Sequence, residues 1–259
     1  MELVVLGSSS SGNCVAVRSD AGVLLIDAGF ALGSVRRRLG EAGVGLEEVR
    51  GLLVTHEHSD HARGAGRFLR LKGAEVAAGE GTAEALRSGL GLQGVRPLPG
   101  GRGSSVGGFR VRPIRVPHDS ADCSAFEVVS DGFRLLYATD LGAVPEELVE
   151  AGVRADVAVF EANHDRKMLW EGRYPQFLKE RIAGGRGHLS NEQAGAALSR
   201  MARGRLRRVV LAHLSERNNR PEKAVAQVRA AIRGRARLSA YSVTVEAAPK
   251  DGPLVVPFP

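Results

Sequence analysis

Short, β-branched apolar runs alternate with helix-period segments along almost the whole chain, and that alternation leaves few folds open. "LVVL" (3–6), "CVAV" (14–17) and "VLLID" (23–27) read as strands separated by the turn-forming "GSSSSGN" and "RSDAG". Strands so closely spaced predict an antiparallel meander. "SVRRRLGEAG" (34–43) then reads as a helix stopped by glycine, and "GLLVT" (51–55) as a buried strand. Beyond it, "ARGAGRFLRLKG" and "GTAEALRSG" read as helices around the strand "AEVAA". Residues 108–140 return to strands, with "SDG" as the turn between "AFEVV" and "FRLLYAT". From 145 onward helices and strands alternate again: "PEELVEAG", "DVAVFEA", "SNEQAGAALSRMA" capped by Ser190, "RRVVLAHLS" and "PEKAVAQVRAAI". The Gly-rich "LPGGRGSSVGG" (98–108) reads as a flexible loop. The second half echoes the first, so the expectation is an α/β (α+β) chain forming one domain, 1–259, of two similar layers.

Composition narrows the function classes. Apolar residues at 43% and charged residues at 25% are ordinary globular values, which argues against disorder. Aromatic content of 5% argues against stacking platforms as the main device. The formal charge of +7 rests on 31 arginines and 5 lysines, a surface that attracts polyanions and suits bidentate phosphate contacts. Cys14 and Cys123 are too few for a disulfide framework. With neither a signal peptide nor a long apolar run, the expectation is a cytoplasmic protein with no membrane partner.

The chemistry concentrates in "LLVTHEHSDHARG" (52–64), where three histidines and two carboxylates follow an apolar run. In a loop after a strand, H-x-H wraps two imidazoles, His56 and His58, onto a single ion. Asp60 and His61 come where the chain turns into a helix and can face a second. Neutral imidazole together with carboxylate suits Zn, Mn or Fe, with geometry choosing among them.

"THEHSDH" resembles the signature of the metallo-β-lactamase-fold hydrolases, which implies a four-layer αββα sandwich with a dinuclear metal site. The family expects a further histidine, a bridging aspartate and a last histidine, each at a later strand end. "VPHD" with His118, "YATD" with Asp140 and "LAHLS" with His213 stand in that order. Carried over by position, the resemblance implies that His56, His58 and His118 bind one metal, that Asp60, His61 and His213 bind the other, and that Asp140 bridges. It also places Asp60 among the catalytic residues.

"FEANHD" and "GRGHLSNEQAGAAL" are similar to segments of the tRNase Z-type members that supply a glutamate and a histidine beside the metals. By that likeness Glu161 orients His188, and His188 protonates the leaving oxygen or steadies the scissile phosphate. "LGSSSSGNC", "DAGF" and "HLSERNN" bring the chain nearest to the short YycJ (WalJ)-type branch, whose members are regarded as DNA exonucleases. The implied activity is a dinuclear metal-dependent phosphodiesterase using a metal-bridging hydroxide on nucleic acid, with DNA preferred to RNA. A thioester or lactone hydrolase of the same fold and a tRNase Z-like endoribonuclease are the alternatives. The tRNA-gripping arm associated with the latter is not evident. Ser11 and Asn13 in the first turn, and Arg217 and Asn218 after His213, are candidate substrate contacts. His164 and Asp165 fit either a second layer around the metals or a solvated helix start.

Overall fold

A computed structural model describes residues 1–235 and 243–259. Two mixed β-sheets flanked by helices make up the chain, which divides into two compact units. The first unit takes Met1–Arg115, Ser120–Phe133 and Pro249–Phe258; the second takes Val116–Asp119, Arg134–Ala248 and Pro259.

The first unit begins with the expected meander. β1 (Glu2–Ser9), β2 (Gly12–Ser19) and β3 (Gly22–Ile26) pair antiparallel in chain order. "GSSSSGN" is mostly strand: Ser9 pairs with Gly12, which leaves Ser10 and Ser11 as the turn. After α1 (Leu32–Glu41) the direction changes, and β4 (Val49–Val54) joins β3 in parallel. The stretch expected as one helix holds only a single turn of α-helix. α2 (Ser59–Ala62) ends ahead of Gly64, whose amide donates to Ala28 O at 2.7 Å, and α3 (Ala65–Phe68) follows. A Cβ on Gly64 would meet Phe30 O at 2.5 Å, so glycine is needed where the helix breaks.

β5 (Glu75–Gly79), α4 (Glu80–Leu90) and β6 (Arg96–Leu98) extend the parallel part of the sheet. The segment expected as a flexible loop contains β7 (Ser104–Val106), paired antiparallel with β8 (Phe109–Arg115), which pairs in turn with β9 (Ser124–Ser130). Its Gly and Ser content carries no strand signal, because pairing of Ser104 with Val111 and of Val106 with Phe109 decides the conformation. The helices cover one sheet face through Val35, Leu39, Phe68 and Leu86, packed with Leu25, Leu52 and Val54. Each large side chain so buried contributes about 1.5–3 kcal/mol.

The Asp131–Gly132 turn, with φ of 51° and 80°, leads into β10 (Phe133–Ala138). The second unit is built on a parallel ladder. After α5 (Glu146–Arg154), β11 (Val157–Glu161) pairs with β10. α6 (Arg166–Glu171), α7 (Gln176–Ala183) and α8 (Asn191–Met201) follow, and β12 (Arg208–Ala212) then joins β11. α9 (Pro221–Arg235) precedes β13 (Thr244–Ala247), the last strand of the ladder. Ser190 caps α8 as expected, in a reciprocal box with Gln193. β14 (Leu254–Pro257) returns to the first unit and pairs antiparallel with β1. Among the described residues, no helix is long and apolar enough to cross a membrane.

Candidate metal centre

In the first unit, parallel pairing of β3 and β4 brings their carboxyl ends side by side. Asp27 follows β3; Thr55 and His56 follow β4. Asp27 is fully buried with φ of 61°, a left-handed conformation that costs a non-glycine residue about 1–3 kcal/mol. Its carboxylate accepts the Thr55 amide and hydroxyl, both at 2.9 Å, and His61 Nδ1–H at 2.8 Å. The single Thr55 hydroxyl proton goes to Asp27, so the oxygen accepts from His56 Nδ1–H at 3.0 Å. Both rings therefore carry their proton on Nδ1 and present the Nε2 lone pair, the form in which imidazole binds a cation. The His56 ring lies 4.6 Å from that of His58 and 4.3 Å from that of His61, centroid to centroid. Asp60 Oδ2 is 3.4 Å from His61 Nε2. A Cβ on Gly29 would sit 1.9 Å from Asp60 O, so the histidine loop closes only over a glycine. Glu57 accepts the Ala121 amide at 2.8 Å.

In the second unit the same rule gathers residues from distant parts of the sequence. Asp140, Glu161 and His213 stand at or just beyond the carboxyl ends of β10, β11 and β12. Glu161, fully buried, is the hub. Its Oε1 accepts His188 Nδ1–H at 2.9 Å, His213 Nδ1–H at 3.0 Å and the Asp140 amide at 3.2 Å. Its Oε2 accepts the amides of Leu189 at 2.9 Å and Leu141 at 3.0 Å. Asp140 and His213 both have left-handed backbone, at φ of 59° and 54°. His118 is held by the Gly187 carbonyl at 3.3 Å from Nδ1, and its Nε2 is 3.8 Å from Asp140 Oδ1.

Electrostatics follow from these contacts. Burial opposes ionisation of Glu161, but the His188 charge and the ring hydrogen bonds from His188 and His213 outweigh it and bring the carboxyl to about 2. Burial likewise works against a charged His188, yet Glu161 raises it above the ordinary imidazole value. Desolvation prevails at His118, which is lowered, and at His164, which falls to about 4. Asp140, Glu161, His188 and His213 each offer a ligand atom within 4.8 Å of the others. Imidazoles proton-anchored through Nδ1, beside the Asp140 carboxylate and a Glu161 held ionised, are a donor set that fits a divalent transition metal.

The first unit thus brings together His56, His58, Asp60 and His61, and the second His118, Asp140, Glu161, His188 and His213. Among the residues expected to touch substrate, Asn13 adjoins the first of these groups. Ser11 is an exposed turn residue, and Arg217 is exposed with its guanidinium 5.7 Å from the Tyr174 ring centroid. Asn13 and Asn218 are buried. The Asn13 amide donates to Ser9 O at 3.0 Å and lies 3.1 Å from His61 Nε2, while its oxygen accepts Ser8 Oγ–H at 2.8 Å. Asn218 O accepts the Asp165 amide at 2.9 Å. Asp165 caps α6 through the Met168 amide at 2.9 Å and ties α9 through Lys223 and Gln227 at 3.0 and 3.1 Å. His164 is buried beside it, its backbone bridged to Ser190.

Sequence reasoning missed two supports. Asp27 was legible as the end of an apolar strand and the start of "DAGF", but not as the anchor of two histidines. The other is a set of buried asparagines. Asn163 donates to His213 O at 2.9 Å, holding that residue in its left-handed turn. Asn191 and Asn219 bond each other's amides at 3.0 and 2.9 Å, and Asn219 also donates to Ala162 O and Asn163 O at 2.8 and 3.1 Å. This network joins the segments that carry Glu161, His188 and His213.

The sequence matches the β-lactamase superfamily domain over residues 23–214. It is 35% identical over 226 residues to exodeoxyribonuclease YycJ of Bacillus anthracis, covering 85% of this chain and 84% of that one. Exodeoxyribonuclease WalJ of Streptococcus pneumoniae serotype 2 is 32% identical over 225 residues, with the same coverage of 85% and 84%. Among solved structures, the metallo-β-lactamase fold protein YhfI from Bacillus subtilis superposes with a TM-score of 0.73 at 14% identity, covering 99% of each chain. The extended family match and the two relatives place the chain: it belongs to the β-lactamase superfamily, in the branch that contains YycJ and WalJ.

Proposed function

We propose that the protein is a metal-dependent phosphodiesterase that shortens DNA from an end. The observation that carries this reading is the Glu161 hub, which fixes His188 and His213 through Nδ1 and leaves Nε2 of each for chemistry. The names of the YycJ and WalJ relatives support DNA as the substrate.

Two divalent cations, Zn or Mn with Fe also suited, are assigned to the ligand set His56, His58, Asp60, His61, His118, Asp140 and His213. When bound, such cations supply Lewis acidity toward a phosphoryl oxygen and a nucleophile at neutral pH. The chain's own residues do the rest. Asp27 keeps His61 in the ligating tautomer directly and His56 through Thr55, and Glu161 does the same for His213. His188, charged beside Glu161, gives a proton from Nε2 to the departing oxygen, and Glu161 holds the ring in place for that transfer. Ser11, Asn13, Arg217 and Asn218 are assigned to the substrate side, Asn13 and Asn218 through the loops they hold. The family match runs across both compact units, which supports treating 1–259 as one domain, and a cytoplasmic location fits a DNA substrate.

End-labelled single- and double-stranded DNA and RNA, digested with Mn or Zn, test the proposal. Wild type is expected to release short products from DNA, Asp140→Ala none, and His188→Ala few. Intact DNA in every lane, or equal digestion by wild type and Asp140→Ala, would overturn it.

A further inference from the structure

The chain has few aromatics, yet three of them, Trp170, Tyr174 and Phe177, fall in one short stretch across α6, the following turn and the start of α7. Most large apolar side chains of this protein are buried, but Trp170 is 41% and Phe177 70% exposed. Neither belongs to the metal-binding groups. Residues 166–181 also carry three exposed cations, Arg166, Lys167 and Arg173, beside Lys179 and Arg181, which tie the segment in place, against two carboxylates, Glu171 and Glu180.

The stretch is held firmly and leads straight to the proposed proton donor. Lys179 Nζ donates to Trp170 O at 2.7 Å, tying the two helices together. Arg217, beyond His213, lies over the Tyr174 ring. The chain leaving α7 turns back at once, His188 N donating to Ile182 O at 2.8 Å. A Cβ on Gly187 would approach Arg181 O to 2.2 Å, so the turn is tight. Arg181 Nε donates to Asp119 Oδ2 at 2.7 Å, and Arg186 Nε to His118 O at 2.9 Å, fastening both ends of the turn beside His118.

Exposed aromatic faces set among cations on a rigid support are what a polynucleotide with unstacked bases requires: the rings take the bases and the cations take the phosphates. An acidic peptide would use the cations and leave the rings idle. A paired duplex would bury its base faces and do the same. We infer that the α6–α7 segment is a stacking platform for unpaired DNA, with Trp170 and Phe177 as the base contacts, feeding the strand toward His188. The choice of DNA rests on the function proposed above.

Trp170 is the sole tryptophan, so its emission reports the platform without labelling. The full-length, metal-loaded protein is titrated with a phosphorothioate oligothymidylate, which resists cleavage. Saturable quenching is expected, with Phe177→Ala weakening the apparent Kd about tenfold and Phe177→Tyr restoring it. An abasic strand of equal length and charge is expected to leave the emission nearly unchanged. Equal quenching by the abasic strand, an unaltered Kd in Phe177→Ala, or quenching by oligouridylate with DNA silent would each overturn the proposal. Failure of the wild type to cut any nucleic acid would sink the nuclease reading instead, and the two failures are read in separate experiments.

Discussion

The two units hold histidines by the same device but assemble it differently. In the first, Asp27 anchors His61 directly and His56 through Thr55, and all the candidate ligands come from the few residues between 56 and 61. In the second, Glu161 anchors His188 and His213, drawn from segments far apart in the chain, together with three backbone amides. One group is local and leans on a single buried aspartate. The other exists only once three parallel strands and the start of α8 are packed. Loss of the anchor should therefore cost the second group far more than the first.

Glu161→Ala is the strongest way to test that difference. It strips the acceptor from two imidazoles and three amides in a fully buried place, and unpaired buried donors cost about 1–3 kcal/mol each. A stability loss of about 3–5 kcal/mol is expected in denaturant unfolding, with loss of DNA cleavage. A variant as stable as wild type would show that the hub is dispensable. Asp27→Asn should do less, because it removes a charge and reshapes one orienting contact. Metal affinity, read by competition with a chelator dye, is expected to fall about 10- to 100-fold with the fold intact. Equal damage from both substitutions would erase the contrast.

The smallest effect is expected at Asp165, which supports the second unit without touching its hub. Asp165→Ala removes a helix cap, worth about 1 kcal/mol in thermal unfolding. Burial works against ionisation of this carboxyl, but the Met168 amide, Lys223 and Gln227 bring it below its ordinary value of 3.8. A carboxyl lowered in the folded state stabilises the fold above its unfolded-state value, and that contribution fades as pH falls through the folded one. The gap between wild type and variant should therefore narrow in acid.

The same contrast explains what the sequence made legible. "THEHSDH" announced its group because the residues are contiguous and no packing is needed to see them together. His118, Asp140 and His213 were found by family likeness, since their common edge is created by strand order. Asp27, Asn163, Asn191 and Asn219 lay inside quoted motifs without a role of their own, because their partners are fixed only by tertiary structure. The fold showed the same limits. β-branched runs predicted the meander and the parallel strands, whereas β7 hid in a Gly- and Ser-rich stretch and the helix after the histidines was cut short by a backbone bond to Ala28. Low aromatic content argued against a stacking role, but a bulk percentage carries no information about clustering, and three rings in one stretch are what the platform proposal rests on.

The pairing of β1 with β14 sets an order of events during synthesis. β1 is made about 245 residues before Leu254–Pro257. Throughout that interval one edge of the first sheet stays open, a row of unsatisfied backbone groups available to any other extended strand. The buried Arg38, which donates to Leu6 O at 2.7 Å and to Asp251 at 2.9 Å, gains the second of these bonds only when the segment carrying Asp251 arrives. The nascent chain is thus open to wrong pairing until Leu254–Pro257 has been made, and removing β14 would prolong that exposure indefinitely.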